Sequence, residues 1–496
     1  MVKAVVGEET QLKSTEDRLS QSAVPSQVGL LIGKLSSSSD RCLVFDLIPT
    51  PPNDAGEAAC SLLEGRGGRD DKKRGSKPKS QSDSSSLVID KDWVAEHARQ
   101  VSRMLLGGMK VLGIYIWTNE SSFKNSTIIL CQTVKGVAEA APLLETDWDE
   151  RLLIHISYSP RRWTCRNCSL TSNITSSSIR PCDFKMGRVL ASLQTFRCTY
   201  TFDLRLPICC EDVSSARKFA DILRQGISSH AKELKDAKAI IDGDLVVKDE
   251  SCLPDGLHEV EFLLPFMKDS FAEACSEKEV VGVLAFSGSV CSFAYSNSRE
   301  PVSQALADLK GDIIMSLQSR LDVICDESDG ESSSNTNRGK DASEELSTGE
   351  PFVQLTPQLL RKQCSLTFPR RVFIPWLAGT YICDHLQLAE TLEVVKDHCV
   401  ELMAMPAPDS STILEPEIVP PALNSKSLWD AALPFCLTSS PDCSSLEKSG
   451  ILTSQEHEGK STSSANFNLS AAVWILILAI LIGLALYTVK RFSHTT

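Results

Sequence analysis

The stretch Leu469 to Val489, LSAAVWILILAILIGLALYTV, constrains this chain more than any other feature, because no charged residue stands between Lys460 and Lys490. At about 1.5 Å per residue its 21 residues make a helix of roughly 31 Å, the thickness of a bilayer hydrocarbon core. In lipid a helix satisfies its own backbone groups, so the sequence predicts one spanning helix centred near Ile480. Trp474 and Tyr487 stand towards its two ends, where amphipathic rings prefer the interface. A buried helix of a soluble protein this long normally keeps a polar stripe, and this segment has none.

Seven residues, Lys490 to Thr496, follow the segment, and the first 28 residues lack the apolar core of a secretory signal. The expectation is a tail anchor in the lipid bilayer, with the body in the cytosol and the short tail in the lumen. Lys490 and Arg491 on the tail side favour the reverse orientation by charge. The missing early signal outweighs them, because charge bias seldom carries a large folded body across. The apolar helix points to the endoplasmic reticulum, and the basic tail gives the mitochondrial outer membrane as the alternative.

A net charge of −13 argues against a general nucleic-acid binder, which would show a basic face. In a cytosolic body the 18 scattered cysteines are expected as reduced thiols. The sequons at Asn119, Asn125, Asn167 and Asn173 would then stay unused.

The periodicity upstream predicts an α/β (α+β) mixed-sheet body. Residues 1–27 read as a flexible N-terminus and 28–250 as a first α/β domain. Val28 to Leu35 and Arg41 to Ile48 read as two strands, stopped by Pro49, Pro51 and Pro52. Residues 53–86, rich in Gly, Ser and Lys, read as a disordered loop, locally basic in GRGGRDDKKRGSKPK. A helix from Trp93 to Leu106 carries Val94, Ala98, Val101 and Leu105 on one stripe, with Asp90 or Asp92 as cap and Gly107-Gly108 as its end. Strands are predicted at Lys110–Trp117, Ser126–Val134 and Arg151–Ser157, then irregular chain over 158–192, a strand at Thr195–Leu206 and a helix at Val213–Ala237.

A second α/β block is predicted over 258–403. It holds strands Val280–Phe286 and Val290–Tyr295 turning at Gly288-Ser289, and a helix from Pro301 to Cys325. A disordered loop over 326–350, the hairpin RRVFIPWLAGTYICD (370–384) and a helix from Leu388 to Met403 follow. Residues 405–468 read as a disordered linker to the membrane helix.

The sequence has no GxSxG elbow, no Walker A motif and no HExxH. Cys165 and Cys168 form a CxxC, half of a zinc site, but Cys182 and Cys198 supply no matching second pair. Ordinary thiols are the expectation. His230 reads as a core histidine. Cys383, His385 and His398 are the first suspects for a thiol hydrolase, an alternative reading, since such partners meet across a fold rather than in sequence. No residue is assigned a catalytic, metal-binding or cofactor-binding role, and no cofactor is implied.

Four stretches resemble the odorant response abnormal protein 4 family: VGLLIGKLSSSSDRCLVFDLIPTPP (28–52), DWVAEHARQVSRMLLGGMKVLGIYI (92–116), RRVFIPWLAGTYICD (370–384) and the C-terminal membrane helix. The residues that carry it are Gly29, Gly33, Trp93, His97, Arg103, Gly107, Gly108, Gly113, Pro375, Gly379, Cys383 and Asp384. The resemblance implies a non-catalytic, membrane-anchored accessory protein that helps fold, sort or export polytopic receptors, notably G-protein-coupled receptors. It also implies association with the protease of the ubiquitin-fold modifier.

The N-terminal order is also similar to an MPN (JAMM-type) domain, whose active members end a strand in GWYHSHP. Here the equivalent is GIYIWTNES, Gly113 to Ser121, with Ile116 or its neighbours in place of the zinc-binding histidines. That resemblance implies a scaffold without its metal site. A membrane tether is a third reading, but no sustained heptads precede the membrane helix.

Overall fold

The computed structural model describes residues 2–36, 41–63, 85–143, 149–170, 178–209, 219–247, 256–265, 280–298, 300–334, 365–417 and 419–427. The chain divides into a compact unit, Met1–Phe435, and a second unit, Cys436–Thr496. The second unit, and with it the segment 469–489, lies outside the described residues. Among those residues no helix is long and apolar enough to cross a membrane.

The first unit begins with order where flexibility is expected. Strand β1 (Ala4–Glu8) leads straight into helix α1 (Glu9–Gln21). β1 runs parallel to both β3 (Arg41–Pro49) and β9 (Ile179–Gly187), and so closes a seven-stranded barrel. Burial of Val5, Leu12 and Leu19 drives it, the two leucines lying two turns apart on one helix face. Two leucines seven residues apart in an otherwise polar stretch are too few to stand out as a helix in sequence.

The barrel continues through β2 (Gln27–Leu35), β6 (Lys110–Trp117), β7 (Glu150–Tyr158) and β8 (Arg161–Ser169), in the order β1-β3-β2-β6-β7-β8-β9. β2 and β3 pair antiparallel, with an irregularity at Ile32/Gly33. The expected irregular stretch 158–192 is therefore mostly strand, its Ser/Thr content masking β8 and β9. Most of the loop expected at 53–86 lies outside the described residues. Its ends are not loop: β4 (Cys60–Leu63) and β5 (Ser86–Ile89) form a ribbon.

Helix α2 (Lys91–Met104) matches its prediction. Asp90 accepts a hydrogen bond from Trp93 N–H at 3.1 Å, and Val94, Ala98 and Val101 are buried. After the short α3 (Glu120–Asn125) comes a correction: the predicted strand Ser126–Val134 is helix α4 (Thr127–Ala140). Its β-branched run favours a strand by propensity. Burial instead follows Leu130, Val134 and Val137, which is helical spacing, and packing against α2 decides.

Seven strands between residues 193 and 427 build the second sheet, ordered β12-β11-β13-β10-β14-β18-β15. The strands are β10 (Leu193–Cys209), β11 (Lys238–Ile241), β12 (Asp244–Leu245), β13 (Leu257–Leu263), β14 (Val280–Asn297), β15 (Ser365–Thr367) and β18 (Ala422–Ser427). β10 and β14 pair along their whole length, from Leu193↔Asn297 to Cys209↔Val280. The sequence puts a block boundary at 250–258, but the strands on either side share this sheet, and the change of sheet falls between Gly187 and Leu193.

Gly288-Ser289 is not a turn either, but the middle of β14. A Cβ on Gly288 would lie 2.7 Å from Pro421 Cα, so close approach explains the glycine. Helices α5 (Phe219–Lys235) and α6 (Val302–Ser334) cover one face of the sheet, burying Leu223, Ile227, Leu309, Ile313, Leu317 and Leu321 against Phe196, Phe202 and Phe286. α6 runs on to Ser334, past the expected end at Cys325, and residues 335–350 of the expected loop lie outside the description.

The predicted hairpin is β16 (Arg370–Pro375) and β17 (Tyr381–Leu386), followed by α7 (Leu392–Glu401). The expected linker 405–468 is not all linker. Its described part ends in β18, paired with β14 and β15, and contains the buried Glu417.

Candidate functional site

Helix α6 carries two stripes. Besides the apolar one, Asp308, Asp312, Ser316 and Arg320 recur every fourth residue and so share a face. All four are buried or nearly so. Charges out of water need partners, and here the partners come from four distant parts of the chain.

Lys34, on β2, reaches Asp308 at 2.6 Å and Glu300 at 3.4 Å. Arg371, on β16, makes a bidentate pair with Asp312 at 2.7 and 2.9 Å, and Ser292 on β14 donates to the same carboxylate at 2.7 Å. Arg320 donates to Glu417 at 2.7 Å and to the Pro369 carbonyl at 2.8 Å. Burial pushes the Lys34 ammonium down, but Asp308 and Glu300 outweigh it and hold its pKa above the ordinary lysine value. Burial raises the Asp308 carboxyl, with Lys34 working against it. Burial opposes the charge of Arg371 as well, and Asp312 more than restores it.

The network also closes a strand edge. Beyond the reach of β18, an edge of β14 would be left without a strand partner. Cys291 N–H donates to Glu417 at 3.1 Å, and Arg371 donates to the Cys291 carbonyl at 3.2 Å. Tyr295 N–H donates to the Gly107 carbonyl at 3.2 Å, and Lys34 donates to the Tyr295 carbonyl at 2.6 Å. Barrel, hairpin and sheet are thus joined at one buried seam.

Two glycines of the family-like motifs lie at this seam, and the other motif residues pack elsewhere in the barrel, α2 and the hairpin. Gly107 and Gly108, at φ +69° and +82°, end α2 in the left-handed region, where a side chain is strained. A Cβ on Gly107 would lie 2.5 Å from the Tyr295 ring, and one on Gly108 2.5 Å from the Asp308 carboxylate. Gly107→Ala is therefore expected to cost at least about 2 kcal/mol, read as a lower urea midpoint at unchanged slope.

Trp93 donates to the Pro51 carbonyl at 2.9 Å. His97 is buried and donates through Nε2 to the Leu402 carbonyl at 2.8 Å, with Thr50 at 3.3 Å on Nδ1. Arg103 pairs with Asp326 at 3.1 Å. Gly29 and Gly33 lie on β2 and Gly113 on β6, all pressed against neighbouring backbone carbonyls. Pro375 ends β16 and Gly379, φ +85°, turns the hairpin. Tyr381 N–H, just past the turn, donates to the Tyr295 hydroxyl at 2.7 Å.

Of the hydrolase suspects, Cys383 and His398 do not meet, and His385, on the Cys383 face of β17, is held well below the ordinary imidazole value by burial. Cys383 is 0% exposed, and burial raises its thiol to about 11. Its sulfur donates to the Arg103 carbonyl at 3.5 Å. The neighbouring Asp384, on the opposite face of β17, takes His398 at 2.8 Å, and that contact raises the imidazole pKa. A deep, protonated thiol on one face and an Asp–His pair on the other make no nucleophile and base. Native Cys383 is expected to resist iodoacetamide until urea unfolds the chain, which peptide mapping of the labelled protein checks.

The CxxC splits as well. Cys165 and Cys168 are three residues apart on a strand, hence on opposite faces, and they join different cores. Of the MPN-like stretch, Ile114 and Ile116 are core side chains and Asn119 caps α3 through Ser122 N–H at 2.7 Å. His230 lies buried between Tyr200 at 2.9 Å and Glu233 at 3.1 Å, a core histidine as expected.

Comparison with known proteins decides the family. Residues 29–414 match the model of the family described as ODR4-like, Odorant response abnormal 4-like. The chain belongs to that family. The proteins called Protein odr-4 homolog in Mus musculus and Homo sapiens are 26% and 27% identical to it, each over 76% of this chain and 77% of its own length. The Dictyostelium discoideum homolog is 24% identical over 81% of this chain and 80% of its own. The crystal structure of UfSP from C. elegans aligns with 82% of this chain and 57% of its own at 7% identity and a TM-score of 0.36, too low to carry an argument.

In this member of the family the polar stripe of α6 is not distinctive in the sequence. Its spacing is visible, but four polar residues along a helix ordinarily mark the solvated side.

Proposed function

We propose that this chain is a non-catalytic adaptor, tethered by the helix 469–489 to the endoplasmic reticulum membrane with its body on the cytosolic side. It assists the folding, sorting or export of polytopic receptors such as G-protein-coupled receptors, and recruits the protease of the ubiquitin-fold modifier. The N-terminal part of its body is read as an MPN-like scaffold without the metal site. The observation that carries the reading is the placement of the motif residues. Gly107 and Gly108 are packed into a buried seam, and His97 and Cys383 are buried elsewhere in the body, where they hold parts of the fold together. Family membership supports the accessory role, and one membrane helix confines the body to the surface where its clients reside.

Protease treatment of intact microsomes, with a tag at each end and co-purification in mild detergent, tests it. An accessible N-terminal tag, and receptors or the modifier protease in the eluate, is the expected outcome. A protected body carrying sugar would overturn it. Such sugar is not expected at Asn167 in either orientation, because its side chain is buried and donates to the Val2 carbonyl at 2.7 Å.

A further inference from the structure

We propose that Cys165 and Cys182 form an oxidation site for hydrogen peroxide, at which a reversible disulfide closes across β8 and β9. The two residues are direct partners in the antiparallel ladder. Directly opposite residues place their Cβ atoms about 4.5–5.5 Å apart, and a disulfide asks for about 3.5–4.5 Å, so a small approach of the two strands suffices. Trp163 and Phe184, two residues further along their strands, stack with ring centroids 5.7 Å apart.

Access separates the roles. Cys182 is half-buried while Cys165 is buried. As a thiol, Cys182 donates to the Val2 carbonyl at 3.6 Å. As a thiolate it accepts from Cys165, and that contact lowers its pKa below the ordinary cysteine value. The Cys165 thiol is raised well above that value, by its hydrogen bond to Cys182 and then by burial. Cys182 is therefore the attacking group and Cys165 the resolving one.

In the first step the Cys182 thiolate attacks one peroxide oxygen. The S–O bond forms, the O–O bond breaks, and the departing hydroxide takes a proton to become water. The sulfur is now a sulfenic acid. Cys165 then attacks that sulfur: the S–S bond forms, the S–O bond breaks, and the second hydroxide leaves with the Cys165 proton. Two thiols and one hydrogen peroxide give one disulfide and two waters, and a thiol reductant reverses it. The bond ties β9 to β8, and β9 carries β1, the strand that completes the barrel.

The same strand supplies an internal control. Cys168, on the other face of β8, lies beside Cys131 of α4, and both are buried. The full-length chain in native membranes is treated with hydrogen peroxide, quenched with an alkylating agent and mapped by mass spectrometry. The expected result is a Cys165–Cys182 linked peptide pair, lighter by two hydrogens, forming at least about tenfold faster than a Cys131–Cys168 pair. Cys165→Ser should leave Cys182 as a sulfenic acid that dimedone traps. Cys182→Ser should abolish the link and leave Cys165 unmodified, and Cys182→Ala separates loss of the thiol from any effect of the serine hydroxyl. Equal rates for the two pairs, or Cys182 oxidised without a link to Cys165 in the unsubstituted chain, would overturn the proposal.

Discussion

Asp312→Ala is expected to lower the free energy of unfolding by about 3–5 kcal/mol, because it leaves the Arg371 guanidinium buried without its anion. Arg371 is 2% exposed and Asp312 5%, so water cannot replace the lost partner. The carboxylate also holds Ser292, and Arg371 also serves the Cys291 carbonyl on the closed edge of β14. The loss is a large share of the total stability of a typical domain, about 5–15 kcal/mol. Replacing both charges, Asp312→Leu with Arg371→Met, should recover part of it, since an apolar pair of similar volume removes the unpaired ion. Recovery should stay incomplete, because the Cys291 carbonyl and the Ser292 hydroxyl lose a partner in the double variant. Urea unfolding of the detergent-solubilised chain, followed by tryptophan fluorescence, measures all three proteins.

Acid should loosen the same fold. Burial lowers the pKa of His97, His155 and His385, His155 to about 4 and His385 well below the ordinary value. His155 is fully buried, stacked on Phe123 at 4.1 Å, and donates to the Thr118 carbonyl at 3.0 Å. The folded chain keeps these rings neutral while the unfolded chain protonates them below about pH 6.5. Stability is thus complete above about pH 6.5 and falls with pH down to about 4, as unfolding takes up protons. His155 alone accounts for about 3 kcal/mol over that window, from a shift of 6.5 to about 4 at about 1.4 kcal/mol per unit. His398 works in the opposite sense. Asp384 raises it, so its contribution is whole below about pH 6.5 and fades as pH rises through the folded value. It is 41% exposed on its side chain and is the smaller effect. His155→Gln should flatten the stability profile between pH 4 and 6.5, and an unchanged slope would remove His155 from the account.

What the sequence shows of this fold is what local chemistry writes down. The α2 stripe, its Asp90 cap and its Gly107-Gly108 end are all local, and all stand in the structure. So does the β16–β17 hairpin, punctuated by Pro375 and Gly379. Where long-range packing overrules local preference the reading fails. The β-branched start of α4 looks like a strand until α2 packs against it, and Gly288 looks like a turn until Pro421 is brought up to it. The seam lies further from view. Lys34 meets a carboxylate 274 residues away, Asp308, and nothing in either neighbourhood names the other. The motif residues were legible as a group, whereas their common purpose became visible only when β2, α2, α6, β14 and the hairpin met.

The central claim is that these residues build a scaffold and carry no catalysis. Its most direct measurement is delivery of a G-protein-coupled receptor to the cell surface in cells lacking their own homolog, restored with variants of this chain. Cys383→Ala should restore delivery as the unsubstituted chain does, and deletion of residues 469–489 should not. A stable, folded Cys383→Ala protein that fails as completely as the deletion would contradict the scaffold and return the thiol to the centre of the mechanism.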